Sequence, residues 1–251
     1  MIYIFGDSWG FSYRDLRHGD PTRDSQVFDG ADLSSLLMEN LNEQVANLCD
    51  RGSNPFRIGD KILKFGKVFE PGDTLIVLQT DPLRSYFVPW YERPMVDAEK
   101  FVLDAPMNLQ TLTEQHLLKP FYAKLKIIQH ALRVKVILHG GIVGINKQLA
   151  KDNDLLYTDK SSTEVIFPDL TDTYFFDEPY MIRNVEYLKQ HYPNFLDDDV
   201  ESVLEKIRHK DSIWKSNPLY FTTNHPTEEG TVVIAEYLAK FIRDNRNETN
   251  Q

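Results

Sequence analysis

Three short apolar runs constrain this chain more than anything else in it: Met1-Ile2-Tyr3-Ile4-Phe5, Thr74-Leu75-Ile76-Val77-Leu78 and Val134-Lys135-Val136-Ile137-Leu138. The first has no polar break at all. Unbroken runs of this length belong to strands buried on both faces, as in a parallel sheet, and the first run reads as a central strand. Gln44 to Cys49 reads as a further strand. Segments of helical period lie between and after these runs. Asp32–Leu41 carries Leu33, Leu36, Leu37 and Leu41 on one face. Asn54-Pro55 opens a helix backed by Ile58, Ile62, Leu63 and Phe65. Thr113–Leu132 repeats Leu117, Phe121, Leu125, Ile128 and Leu132, and Glu228–Asn245 repeats Val233, Ile234, Tyr237, Leu238, Phe241 and Ile242. Strands alternating with helices indicate an α/β fold.

At 251 residues the chain has room for one large α/β domain spanning 1–251. Residues Phe87 to Met107 are rich in proline and aromatics and read as a long loop or flap. The stretch from about 149 to 217 is the least regular and carries many acids, among them Asp197-Asp198-Asp199. It is expected to be an insertion, or lid, on the core. Asp152-Asn153-Asp154 faintly suggests a calcium loop, but Tyr157 stands where such a loop needs glycine. The glycines follow no strand–G-x-G-x-x-G–helix pattern. Neither a metal nor a cofactor is expected.

The net charge of −10 argues against a general nucleic-acid binder, which carries a basic face. The lone cysteine, Cys49, precludes an intrachain disulfide. The apolar start is too short for a signal peptide and lacks a basic lead, and no run is long enough to cross a bilayer. A protein made in the cytoplasm without a signal peptide and away from membranes is expected, with incorporation into a particle left open.

The chemistry-bearing residues lie at the two ends of the chain. Gly6-Asp7-Ser8-Trp9-Gly10 puts a hydroxyl directly after a buried strand, between glycines that let the backbone turn and a substrate approach. The carboxyl ends of strands are where open α/β sheets bind ligands. His225-Pro226 stands just before the last helix. A serine and a histidine so placed supply the nucleophile and base of acyl transfer. The ordinary alternative for Asp7 or Ser8 is the cap of the next helix. Asn54 likewise suits a helix cap with Pro55 at the first position. The nearby Gly52 offers a backbone N–H to a developing negative charge.

Gly6-Asp7-Ser8 after the first strand, Gly52 after the second, a polar Thr80 after the third and His225-Pro226 near the end together resemble the SGNH (GDSL-type) hydrolases, as sparse blocks across the whole chain. The resemblance, to a divergent member, implies a three-layer αβα fold with a flavodoxin-like parallel sheet. It implies a serine esterase or deacetylase acting on a small acyl or acetyl ester, on a polar substrate such as a carbohydrate. Ser8 is then the nucleophile and His225 the base, and the oxyanion is held by the N–H groups of Ser8 and Gly52 with Asn54 or Thr80. Two positions depart from the family pattern. Thr80-Asp81 replaces its Gly-x-Asn-Asp block, and an ionised aspartate only accepts hydrogen bonds; Asp81 is also placed to pair with Arg84. Thr222 stands three residues before His225, where the family has aspartate. A hydroxyl can orient an imidazole but does not stabilise imidazolium as a carboxylate does. Asp7, Asp81 and Thr222 are kept as supporting residues, with Glu228 as another carboxylate that could orient His225. The alternative reading is a fold of this kind retained as a binding or structural module, with a protein partner in a larger assembly such as a virus-like particle.

Overall fold

The computed structural model describes residues 1–10, 32–50, 53–80, 117–141, 144–168 and 226–248, and the account below concerns these. Five strands form one parallel sheet: β1 (Ile2–Phe5), β2 (Val45–Asn47), β3 (Thr74–Gln79), β4 (Lys135–Gly140) and β5 (Leu156–Tyr157). Their order is β2-β1-β3-β4-β5, with β3 central, β1 interior between β2 and β3, and every pair parallel. This is the doubly wound order in which the chain moves first to one side of β1 and then to the other.

The sheet residues alternate between two apolar layers, as the two-residue period of a strand requires. Ile2, Ile4, Ile76, Leu78 and Ile137 face α1 (Leu33–Leu41) and the final helix, which begins at Glu228. Tyr3, Phe5, Leu75, Val77, Val136 and Leu138 face α2 (Pro55–Phe65) and α3 (Lys119–Leu132). Apolar side chains on both faces are what the unbroken runs required. The α/β fold with a parallel sheet read from the sequence is therefore present.

Local chemistry sets where the helices start. Asp32 accepts the Ser35 N–H at 2.9 Å to open α1, and Asn54 accepts the Arg57 N–H at 2.9 Å to open α2. Pro55 follows Asn54 at the first helical position, where its missing N–H costs nothing.

The stretch expected to be irregular from about 149 needs correction for its first twenty residues. The short helices α4 (Lys147–Asp152) and α5 (Ser162–Ile166) and the edge strand β5 lie there, and β5 belongs to the core sheet. Each is too short for a hydrophobic period to declare itself. The rest of that stretch and the flap at 87–107 lie outside the described residues. Among the described residues, no helix is long and apolar enough to cross a membrane.

Candidate active site

The turn after β1 is held from several directions. Gly6 lies against β3 so closely that a Cβ on it would fall 2.6 Å from the Leu78 Cβ. Its carbonyl accepts the Asp50 N–H at 3.0 Å, which ties it to the end of β2. Asp7 is buried, at 1% exposure, and uses both side-chain oxygens. Oδ1 accepts the Trp9 N–H at 3.0 Å, and Oδ2 accepts the Thr80 hydroxyl at 2.8 Å. Ser8–Gly10 form a single 3₁₀ turn, closed by the Gly10 N–H on the Asp7 carbonyl at 3.3 Å. Trp9 is buried in the α1 layer of the core with Leu33 and Leu37. Gly10 abuts Cys49, whose Sγ would stand 2.3 Å from a Cβ at that position. Asn47 Nδ2 donates to the Gly10 carbonyl at 2.8 Å and to Asp32 Oδ2 at 3.2 Å. The backbone of Ser8 is thus fixed at the carboxyl end of β1, beside the β1–β3 reversal where doubly wound sheets form their binding crevice.

The expected site residues divide into two groups. Asp7, Asn54, Thr80 and the backbone of Ser8 are described. Gly52, Asp81, Thr222 and His225 lie outside the described residues. The structure joins Asp7 to Thr80 directly, across the reversal. Asn54 is buried, and its Oδ1 is occupied by the cap of α2. An amide has a second function, and the Asn54 Nδ2 remains the group able to donate to an anion. Cap and oxyanion donor therefore use different atoms of one side chain. Thr80 differs, because a hydroxyl has one proton and the Thr80 proton goes to Asp7.

The final helix, α6 (Glu228–Glu248), shows at which end of the sheet the residues directly after His225 lie. Near its carboxyl end, Arg243 Nη1 donates to the Asn40 carbonyl at 3.0 Å and Arg246 Nη2 donates to Glu43 at 3.0 Å. Asn40 is in the last turn of α1 and Glu43 lies between α1 and β2, at the amino end of the sheet. A helix of 21 residues is about 30 Å long. Its first residue is therefore carried toward the carboxyl end, where Ser8 lies. Thr227 caps it, its hydroxyl oxygen accepting the Gly230 N–H at 3.1 Å, and Pro226 is buried beside it.

Other reactive-looking groups are committed to structure. His139 lies inside β4 and is fully buried. Its Nδ1 meets Thr158 Oγ1 at 2.7 Å and its Nε2 meets Ser162 Oγ at 2.9 Å. Thr158 sends its own proton to the Lys160 carbonyl at 2.9 Å, so Nδ1 is the protonated nitrogen and Nε2 accepts from Ser162. Burial holds the His139 pKa down to about 3. Burial pushes the Cys49 thiol well up, and the neighbouring Asp7 adds to this, so Cys49 stays a thiol and is no nucleophile. Gln79, which the sequence reading passed over, is buried at the end of β3. It donates to the Gly144 carbonyl and accepts the Tyr122 hydroxyl, fixing the loop before α4. A glutamine directly after an apolar strand was the available signal. Among the described residues, no cluster of three or more His, Cys, Asp or Glu could hold a metal ion.

No family model matches the chain, and no curated protein matches it. Solved structures do align along nearly all of it. One is a protein described as an SGNH hydrolase from Slackia heliotrinireducens, 13% identical with a TM-score of 0.39, the match covering 95% of this chain and 96% of that one. Another is a carbohydrate esterase whose active site displays divergent catalytic and non-catalytic binding functions. It is 11% identical with a TM-score of 0.46, covering 96% of this chain and 67% of that one. The site's case rests on its own geometry.

Proposed function

We propose that this chain is a serine esterase that hydrolyses a small acyl or acetyl ester, on a polar substrate such as a carbohydrate. One observation carries the reading: the Ser8 turn is pinned at the β1–β3 reversal, at the same end of the sheet as the first residues of α6, which follow His225 in the sequence. His225 takes the proton of the Ser8 hydroxyl as its oxygen attacks the ester carbonyl carbon. The resulting oxyanion is held by the N–H groups of Ser8 and Gly52 and by the Asn54 amide. Collapse expels the alcohol, which leaves with the proton carried by His225. Water then attacks the acyl-enzyme with His225 again as base. Thr222 or Glu228 orients the imidazole.

The test is turnover of p-nitrophenyl acetate and of an acetylated oligosaccharide by wild type beside Ser8→Ala and His225→Ala. Loss of at least about 10³-fold in both variants supports the mechanism. Covalent labelling of Ser8 by a fluorophosphonate, read by peptide mass, identifies the nucleophile independently. The second reading, a module that binds a protein partner in an assembly, draws on the Thr80 proton being committed to Asp7 and on Thr222 replacing a carboxylate. Equal background rates in wild type and Ser8→Ala, with no labelling, would favour it.

A further inference from the structure

The contact between Asp7 and Thr80 spans 73 positions of the chain and joins the two strands that flank the reversal, β1 and β3. Both residues are buried at 1% exposure. Asp7 uses its two oxygens for two different partners: one takes the Thr80 proton and the other takes the N–H of Trp9, inside the turn that begins at Ser8. A force on Thr80 is therefore passed through one carboxyl group to the backbone directly after Ser8. On the opposite side, the Gly6 carbonyl is held by the Asp50 N–H. The turn is thus anchored to both neighbouring strands, and Thr80 supplies the β3 anchor.

We infer that Asp7 and Thr80 are a positioning pair that sets the Ser8 turn across the β1–β3 reversal, and that of the two candidate side-chain donors, Asn54 and Thr80, it is Asn54 that binds the oxyanion. Thr80 cannot give its single proton to Asp7 and to a substrate oxygen at once. Asn54 has its oxygen in the α2 cap and its amide protons to spare. The catalytic half of this assignment rests on the esterase reading; the positioning half does not.

The experiment pairs ester hydrolysis with amide hydrogen exchange at Trp9, measured on the full chain. Thr80→Val keeps the shape and removes the proton. It is expected to lower kcat about tenfold with KM within about twofold, and to speed Trp9 exchange by about five- to tenfold while exchange in β4 stays unchanged. Thr80→Ser restores the donor and is expected to recover most of both losses. Asn54→Asp keeps the capping oxygen but loses the amide donor, and is expected to cost about 10²–10³ in kcat without changing Trp9 exchange.

Unchanged Trp9 exchange in Thr80→Val would overturn the pair. Wild-type turnover in Asn54→Asp would overturn the oxyanion assignment. If wild type is no faster than Ser8→Ala, the esterase reading falls, and Trp9 exchange still decides the positioning role. Should Thr80→Val fail to fold, Thr80→Ala takes its place. It removes the same proton with a smaller side chain, and Trp9 exchange is expected to rise as in Thr80→Val.

Discussion

At His139 the proton balance can be written atom by atom. The Nδ1 proton goes to Thr158, and Nε2 receives the proton of Ser162, so the native network holds a neutral ring. The folded pKa, about 3, lies below the ordinary value of 6.5. Above pH 6.5 neither the folded nor the unfolded chain protonates this residue, and it makes no pH-dependent contribution. Below that, the unfolded chain takes up a proton that the folded chain refuses. Stability then falls as pH drops from about 6.5 toward about 3, by up to roughly 5 kcal/mol over the whole span. Urea unfolding at a series of pH values should show this slope. In His139→Gln the slope between pH 6 and pH 4 should flatten, whatever the cost of the substitution at neutral pH. Parallel slopes would show that other groups govern acid unfolding. The histidine assigned the proposed chemistry, His225, lies outside the described residues. Residue type alone does not separate the two; the strand and the hydroxyls around His139 do.

Among the elements, β1 and β3 are tightly apposed just past β1, at Gly6. A methyl group there would stand 2.6 Å from the Leu78 Cβ and 3.0 Å from its Cγ, well inside contact distance. Gly6→Ala should therefore push the two strands apart at their carboxyl ends and cost about 1–3 kcal/mol by chemical denaturation. Because Asp7 follows directly, the same change should also loosen the Thr80 contact. How legible each element was follows from its length. The runs at 1–5, 74–78 and 134–138 were readable because burial on both faces leaves them almost wholly apolar, with Thr74 and Lys135 the polar residues, each near the start of its run. Helices α1, α2, α3 and α6 were readable because each spans two turns or more. The two residues of β5 and the five of α5 fall below any period, so that part of the core looked like insertion. The site divides in the same way. Asn54 as a cap is a local matter of one side chain and an N–H three residues on, and sequence reveals it. The bond between Asp7 and Thr80 exists only because the topology sets β3 beside β1, and no local pattern announces it.

For the whole molecule, the two sides of the sheet are closed by different stretches of chain. The layer containing α2 and α3 draws its buried residues from Tyr3 to Leu155. The layer containing α1 includes Ile234, Ala235, Leu238, Ala239 and Ile242 of α6. Leu238 is fully buried there, and Leu238→Ala should cost about 2–5 kcal/mol. The pair of Arg246 with Glu43 is only partly buried. Arg246→Ala should change stability by less than about 1 kcal/mol. Equilibrium unfolding of the two variants side by side would test whether apolar burial, and not the terminal ion pair, holds α6 in place. A loss in Arg246→Ala as large as that in Leu238→Ala would reverse that ranking.

The contact of Arg243 with Asn40 joins residues 203 positions apart, and this separation bears on the order of folding during synthesis. A ribosome that has released residues 1–168 has supplied every described strand and the material of one complete layer. The other side of the sheet, with Ile2, Ile4 and Trp9, still lacks the cover that α6 provides. Contacts this distant in sequence form late, because a long loop must close before they can. The nascent chain therefore carries an uncovered apolar surface through much of translation, beside the very turn that holds Ser8. Chaperone capture and premature association are most to be expected on that face, in the interval before residues 228–248 emerge.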